Sequence, residues 1–216
     1  MVEIIPSILT NSPEELRLLL SKAEGLTQRA QIDIVDGVFA ANRTVEPSVL
    51  EEIDTDLKLD FHLMTKEPID WIEGCVRGMA DRIIGQIELM SSQIEFVGRV
   101  QEVGASVGLA IDVETPVAKI DPAIINSLDV VLVMSVPAGF GGQKFDERAL
   151  EKIGELDEIR VRDDTPFRIC DDGGISLENI YSQRVAGVDE VAIGKKLFEG
   201  DIIKNIDKFK RAMYKR

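Results

Sequence analysis

The sequence predicts an α/β chain closed into a single (β/α)8 (TIM) barrel spanning 1–216, and three observations carry that prediction. Short Val/Ile/Leu-rich runs alternate with amphipathic stretches along the whole chain, and no linker-like or low-complexity segment divides it. Eight such runs recur, roughly 20 to 38 residues apart, as βα units with some longer loops do. The rival architecture, a doubly wound open sheet, usually shows fewer strands and an early Gly-x-Gly-x-x-Gly. None follows the first run here.

The predicted strands are Ile4–Leu9, Ala30–Asp36, Leu57–Leu63, Arg82–Glu88, Ser106–Asp112, Val130–Met134, Phe167–Asp172 and Glu190–Gly194. Several are almost continuously apolar, which fits strands covered on both faces. Between the first two, Ser12-Pro13-Glu14-Glu15 supplies an N-cap, a first-turn proline and a capping-box glutamate, with Leu16, Leu19, Leu20 and Ala23 on one face. After Pro68, the residues Ile72, Cys75, Val76 and Met79 repeat the i, i+3, i+4, i+7 spacing of a buried helical stripe. Ala149, Ile153 and Leu156 do the same on a stretch that Asp146 is placed to cap, and Ser176 is expected to open another helix. The run Lys204–Arg216, with Ile202, Ile203, Ile206, Phe209 and Met213, reads as a closing amphipathic helix.

Composition narrows the function classes. The chain has 216 residues, is 44% hydrophobic and 30% charged, and carries a net charge of −14. Those proportions are those of an ordinary globular protein, and no basic stripe offsets the negative charge, which argues against nucleic acid. No apolar run reaches membrane-spanning length and Met1-Val2-Glu3 does not begin a signal peptide, so a cytoplasmic protein with no membrane partner is expected. Two cysteines, Cys75 and Cys170, are too few for a disulfide framework and fit that reducing setting.

Chemistry-bearing residues gather at strand ends, where α/β barrels build their sites. Residues two apart on a strand share a face, so Gln31 projects with Asp33, Asp60 with His62, and Cys170 with Asp172. Polar groups inside a barrel are costly unless paired or metal-bound, which makes Asp33, His62 (the chain's single histidine) and Asp172 a candidate cluster. Gly139, Gly141 and Gly142 follow the sixth strand, Gly173-Gly174 the seventh, and Gly194-Lys195-Lys196 the eighth. Glycines in those loops let backbone N–H groups cradle an anion, and Lys195 adds positive charge. The last motif is no P-loop, because the upstream glycine spacing is missing. Cys170, Trp71 and Phe61 read as packing residues.

Pro6-Ser7-Ile8-Leu9, Asp33-Ile34-Val35-Asp36-Gly37, His62-Leu63-Met64, the Met134–Phe145 loop and Asp172-Gly173-Gly174-Ile175 occur together. In order and spacing they resemble the ribulose-phosphate 3-epimerases, over essentially the whole chain. The resemblance implies a (β/α)8 fold that interconverts D-ribulose 5-phosphate and D-xylulose 5-phosphate. It implies a divalent metal (Mn, Mg, Zn or Fe) held by two histidines and two aspartates, the aspartates also serving as acid and base. Carried over, Asp33 and Asp172 match the two acids and His62 one histidine ligand. Ser7, Met64 and Met134 match pocket residues, and Gly139, Gly141, Gly142, Gly173, Gly174 and Gly194 the phosphate-binding backbone. The resemblance also suggests a homo-oligomer.

The departures concentrate at the metal end. Gln31, Val38 and Gln86 stand where the family has histidines, Pro137-Ala138 replaces Asn-Pro, Lys195 replaces a serine, and Asp171 an apolar residue. An amide oxygen from Gln31 is at best a weak ligand that disfavours zinc, and Glu88 and Asp171 are further candidates to complete the shell. The expected activity is a sugar-phosphate epimerase with a weakened metal site. The alternatives are another phosphosugar isomerase or lyase in the same barrel group, or an inactive sugar-phosphate-binding barrel.

Overall fold

The computed structural model describes residues 2–164 and 166–215. Its strands are β1 (Glu3–Ile8), β2 (Arg29–Val35), β3 (Lys58–Met64), β4 (Ala80–Gln86), β5 (Ser106–Ile111), β6 (Val130–Met134), β7 (Arg168–Asp172) and β8 (Glu190–Ile193). All pair in parallel in sequence order, and β8 returns to β1 to close the barrel. Every strand end lies within two residues of its predicted position. The helices are α1 (Pro13–Ala23), α2 (Ile72–Arg77), α3 (Gln93–Glu102), α4 (Arg148–Asp163), α5 (Ile180–Ala186), α6 (Lys195–Phe198) and α7 (Ile202–Tyr214). Two crossovers carry only 3₁₀ turns, Pro47–Glu52 before β3 and Val117–Lys119 with Ile125–Ser127 before β6. The fold is therefore a (β/α)8 barrel with two units trimmed to single turns.

Alternation along the strands divides the apolar residues into two layers. Ile32, Ile34, Leu59, Phe61, Leu63, Ile83, Leu109, Val131 and Ile169 face outward and pack with Leu16 and Leu20 of α1, Phe96 of α3, and Ile153 and Leu156 of α4. Full burial of such side chains contributes roughly 1.5–3 kcal/mol each. Inside the ring, Val35, Met64, Ile84, Ala110, Leu132, Met134, Cys170 and Ala192 form a separate cluster. Below it sits a charged plug. Arg82 donates to Asp60 Oδ2 at 2.6 Å and to Glu190 Oε2 at 2.7 Å, and all three are buried. Arg29 reaches Asp60, and Arg168 reaches Glu190 at 2.9 Å. Burial pushes Asp60 up to about 6 against the pull of Arg82 and Arg29. Asp60 thus shares a strand face with His62 but belongs to the floor of the barrel.

Several helix expectations need correction. Ser12 accepts from the Glu15 N–H as predicted, whereas α2 ends at Gly78, leaving Val76 and Met79 exposed. Met79 adopts a left-handed backbone (φ 64°) as the chain turns into β4, so the buried stripe stops at Cys75. Asp146 accepts the Arg148 N–H, but Glu147 occupies the cap position of α4. Ser176 opens a turn rather than a helix. Its N–H is taken by the Asn179 side chain, and α5 begins at Ile180. In α7, Ile202, Ile206, Phe209 and Met213 are buried but Ile203 is 62% exposed, so it lies off the packed face. Arg216 of the predicted closing run lies outside the described residues. Among the described residues no helix is long and apolar enough to cross a membrane.

Candidate active site

The polar residues of β2, β3 and β7 meet inside the barrel because of strand register. Ser7 of β1 pairs with Gln31 of β2, and Asp33 pairs with His62 of β3. Asp172 ends β7 beside Met134 of β6. All of these side chains are on the inward face, and the outward alternates supply the packing against the helices.

One amide nitrogen ties the cluster together. Gln31 Nε2 donates to Asp33 Oδ1 at 2.8 Å and to Asp172 Oδ2 at 2.6 Å. Ser7 Oγ donates to Asp33 Oδ2 at 2.7 Å. His62 Nδ1 lies 3.3 Å from Asp33 Oδ1 and 3.9 Å from Asp172 Oδ2. Gln31 and His62 are fully buried, and Gln31 Oε1 and His62 Nε2 have no hydrogen-bond partner among the described residues. Burial, then the neighbouring Asp33 charge, pushes Asp172 up to about 7, opposed by His62 and by the Gln31 hydrogen bond.

Asp33, His62 and Asp172 each present a ligand atom, all within 4.8 Å of one another. Two carboxylate oxygens and an imidazole nitrogen so arranged are a donor set that fits a divalent cation. Gln31, expected as a weak oxygen donor, turns its nitrogen to the cluster instead. The further candidates do not join it. Asp171 faces the outer layer, where it accepts from Ser135 Oγ, and burial pushes its carboxyl up to about 8. Glu88 accepts the Asp112 N–H at 2.7 Å at the top of β5. Val38 is 63% exposed, away from the cluster. Gln86 is buried, and neither of its amide atoms is bonded among the described residues.

Above the cluster opens a cavity of about 900 Å³. Its walls include Asp33, Asp172, Ser7, Met64, Met134, Gly139, Gly141, Gly142, Gly173, Gly174, Gly194 and Lys195. The structure therefore gathers the sequence-predicted pocket residues around one space. Leu18, Leu19 and Lys22 of α1, together with Phe140, also line it. Leu19 reads from the sequence as packed helix face, and nothing in the sequence marks Leu18, Lys22 or Phe140 as pocket residues. The loops are pinned to one another. Asn42 Nδ2 donates to the Gly139 carbonyl, and Asp36 accepts the N–H groups of Val38, Phe39 and Lys66. Gly174 has φ +61°, and a Cβ there would lie 2.3 Å from Phe145 N. Glycine is thus what permits the β6 and β7 loops to touch backbone to backbone.

The model of the family described as "Ribulose-phosphate 3 epimerase family" matches residues 3–198. The chain belongs to the ribulose-phosphate 3-epimerase family. Curated relatives agree at high coverage. A ribulose-phosphate 3-epimerase of Bacillus subtilis (strain 168) is 32% identical over 205 residues, covering 92% of this chain and 93% of the relative. One from Chlamydia pneumoniae is 34% identical over 183 residues, 82% and 79% of the two chains. One from Escherichia coli (strain K12) is 34% identical, covering 98% and 96%. Among solved structures, a mutant tryptophan synthase α-subunit from Pyrococcus furiosus superposes with a TM-score of 0.72 at 13% identity, over 97% and 98% of the two chains. A 3-hexulose-6-phosphate synthase gives 0.67 at 13% identity, over 98% and 100%. These superpositions speak for the barrel alone. In this chain Asp33 and Asp172 line the cavity together with the glycine loops, and His62 is buried beside them.

Proposed function

We propose that this chain is an isomerase that epimerises a phosphorylated ketose at C3, interconverting D-ribulose 5-phosphate and D-xylulose 5-phosphate. The observation that carries the reading is the pair Asp33 and Asp172, held by one amide nitrogen and lining the cavity of about 900 Å³. Membership of the epimerase family and the identity shared with its curated members support the same activity.

The C3 hydrogen of a 2-ketose is acidified by the adjacent carbonyl. Inverting C3 requires that a proton leave one face and another arrive on the opposite face. Carboxyls on β2 and β7 approach a bound sugar from different sides of the ring of strands. At neutral pH, Asp172, pushed up to about 7, is poised to hold a proton, so it serves as the acid and Asp33 as the base. In the reverse direction the roles exchange. Ser7 and Gln31 fix the Asp33 carboxylate through two hydrogen bonds, which holds it on one rotamer during proton transfer. Met64 and Met134 form an apolar wall that limits water around the carbanionic centre. The N–H groups of the Gly141-Gly142 and Gly173-Gly174 loops, Gly194 and the Lys195 ammonium receive the phosphate, offsetting the chain's net charge of −14. Asp33, His62 and Asp172 would hold a divalent cation, which when bound would supply positive charge toward the oxyanion that develops at C2.

A coupled assay with D-ribulose 5-phosphate as substrate tests the reading. Turnover is expected in the parent protein and loss of it in Asp33→Asn and Asp172→Asn, with both variants folded by circular dichroism. Parent protein that is inert with Mn²⁺, Mg²⁺, Zn²⁺ or Fe²⁺ supplied would refute it.

A further inference from the structure

The side chain of Gln31 is fully buried, and its polar surroundings are unequal. Its nitrogen faces two carboxylates, at 2.8 and 2.6 Å, while its oxygen faces no donor. The orientation has a physical reason. Asp33 and Asp172 offer only lone pairs when ionised, so an amide oxygen turned toward them would add a third repelling dipole. The NH2 group instead lies between them and gives each a hydrogen bond, charge-assisted where the carboxyl is ionised. Leaving Gln31 Oε1 unpartnered is the penalty accepted for it.

We infer that Gln31 is an internal competitor of the divalent cation, a positioning residue whose amide N–H groups bridge Asp33 and Asp172 in the cation's stead. Three consequences follow from the geometry. The two acids keep their spacing without a cation, because each is bonded to the same nitrogen. A cation that draws on these carboxylates must displace the amide, so two strong hydrogen bonds are lost as it binds. Cation affinity is then set by Gln31 as much as by the ligands themselves. The inference rests on the proposed site only for the identity of the two acids, and its readouts involve no turnover.

The test separates a competitor from a weak ligand by the sign of the effect. Isothermal calorimetry would measure Mn²⁺ affinity of the intact protein, Gln31→Ala and the better space-filling Gln31→Leu, with bound metal checked by plasma mass spectrometry. A competitor gives tighter Mn²⁺ binding in the variants, by about tenfold or more for the loss of two such bonds. A ligand gives weaker binding, and that result overturns the inference. Thermal unfolding in EDTA is the second readout and needs only that one variant fold. With the bridge removed, Asp172 loses its amide donor and Asp33 keeps Ser7 but loses one of its hydrogen bonds, which should lower the midpoint in EDTA, and added Mn²⁺ should restore it. The parent protein's midpoint should move by at most a degree or two on chelation. A parent midpoint that collapses in EDTA contradicts the inference. If ribulose 5-phosphate is not turned over while the affinities rise in the variants, the epimerase reading fails and this one stands.

Discussion

Gly174→Ala tests how far the cavity depends on contact between its two main loops. A methyl at this position would meet Phe145 N at 2.3 Å, Phe145 Cα at 2.7 Å and the Lys144 carbonyl carbon at 3.0 Å. All three are backbone atoms, so no side chain can swing aside. Holding alanine at φ +61° adds strain of about 1–2 kcal/mol. Overpacking of this kind adds about 1–3 kcal/mol, against a gain of about 0.4–1 kcal/mol from the stiffer unfolded chain. The net loss is about 2–4 kcal/mol, which for a chain of this size lowers the midpoint by roughly 5–15 °C. The matched control is Gly141→Ala in the same cavity wall. A Cβ there meets nothing within 4 Å and the backbone is not left-handed, so its midpoint should stay within a degree or two. Thermal unfolding of both variants decides the matter, with KM for the sugar phosphate as a second readout. KM should rise in Gly174→Ala as the β6 loop is pushed off its place. A Gly174→Ala midpoint indistinguishable from that of Gly141→Ala would refute the close-contact reasoning.

Other expectations concern the charged interior. Arg82→Met leaves Asp60 and Glu190 buried without their shared partner and should destabilise by about 3–5 kcal/mol in chemical denaturation. That loss should be smaller at pH 5 than at pH 8, because protonation relieves Asp60. The parent protein should also lose stability as pH rises from 5 to 9. Asp60, Asp172 and Asp171 hold protons in the folded state up to about 6, 7 and 8, whereas unfolded carboxyls release theirs near 4. The folded state therefore binds more protons across this window, and stability falls with pH. Midpoints measured through the range, with Asp171→Asn flattening the upper part, check the sign. Ser7→Ala removes a hydrogen bond to the Asp33 carboxylate and should lower kcat by about ten- to a hundredfold in the coupled assay.

The strands were legible because alternation between inner and outer layers leaves a period-2 record. Asp33, His62 and Asp172 each fall on the inward phase, and closure of the ring then brings them together. The glycine loops were legible for a related reason, since Gly174 is fixed by a backbone contact that no other residue fits. What escaped depends on partners remote in sequence. Gln31 gives its nitrogen to Asp33, two residues away, and also to Asp172, 141 residues away, and the sequence does not show that second acid beside it. Asp171 sits beside Asp172 yet points outward, and only strand phase, applied strictly, separates the two. The stripe failed at Met79 because the short helix ends in the turn into β4 before the pattern completes, while Val76, inside the helix, lies off its packed face. Asp60 shares the inward phase with His62, and its role in the floor appears only when Arg82 and Glu190 are seen beside it.

The central claim is that Asp33 and Asp172 exchange protons with C3 from opposite faces. It is tested most directly by running the reaction in D2O and reading the C3 position by ¹H NMR. Parent protein should give D-xylulose 5-phosphate carrying solvent deuterium at C3, and neither Asp33→Asn nor Asp172→Asn should form that labelled epimer. Formation of the epimer with its original hydrogen retained, or undiminished labelling in either variant, would contradict the account.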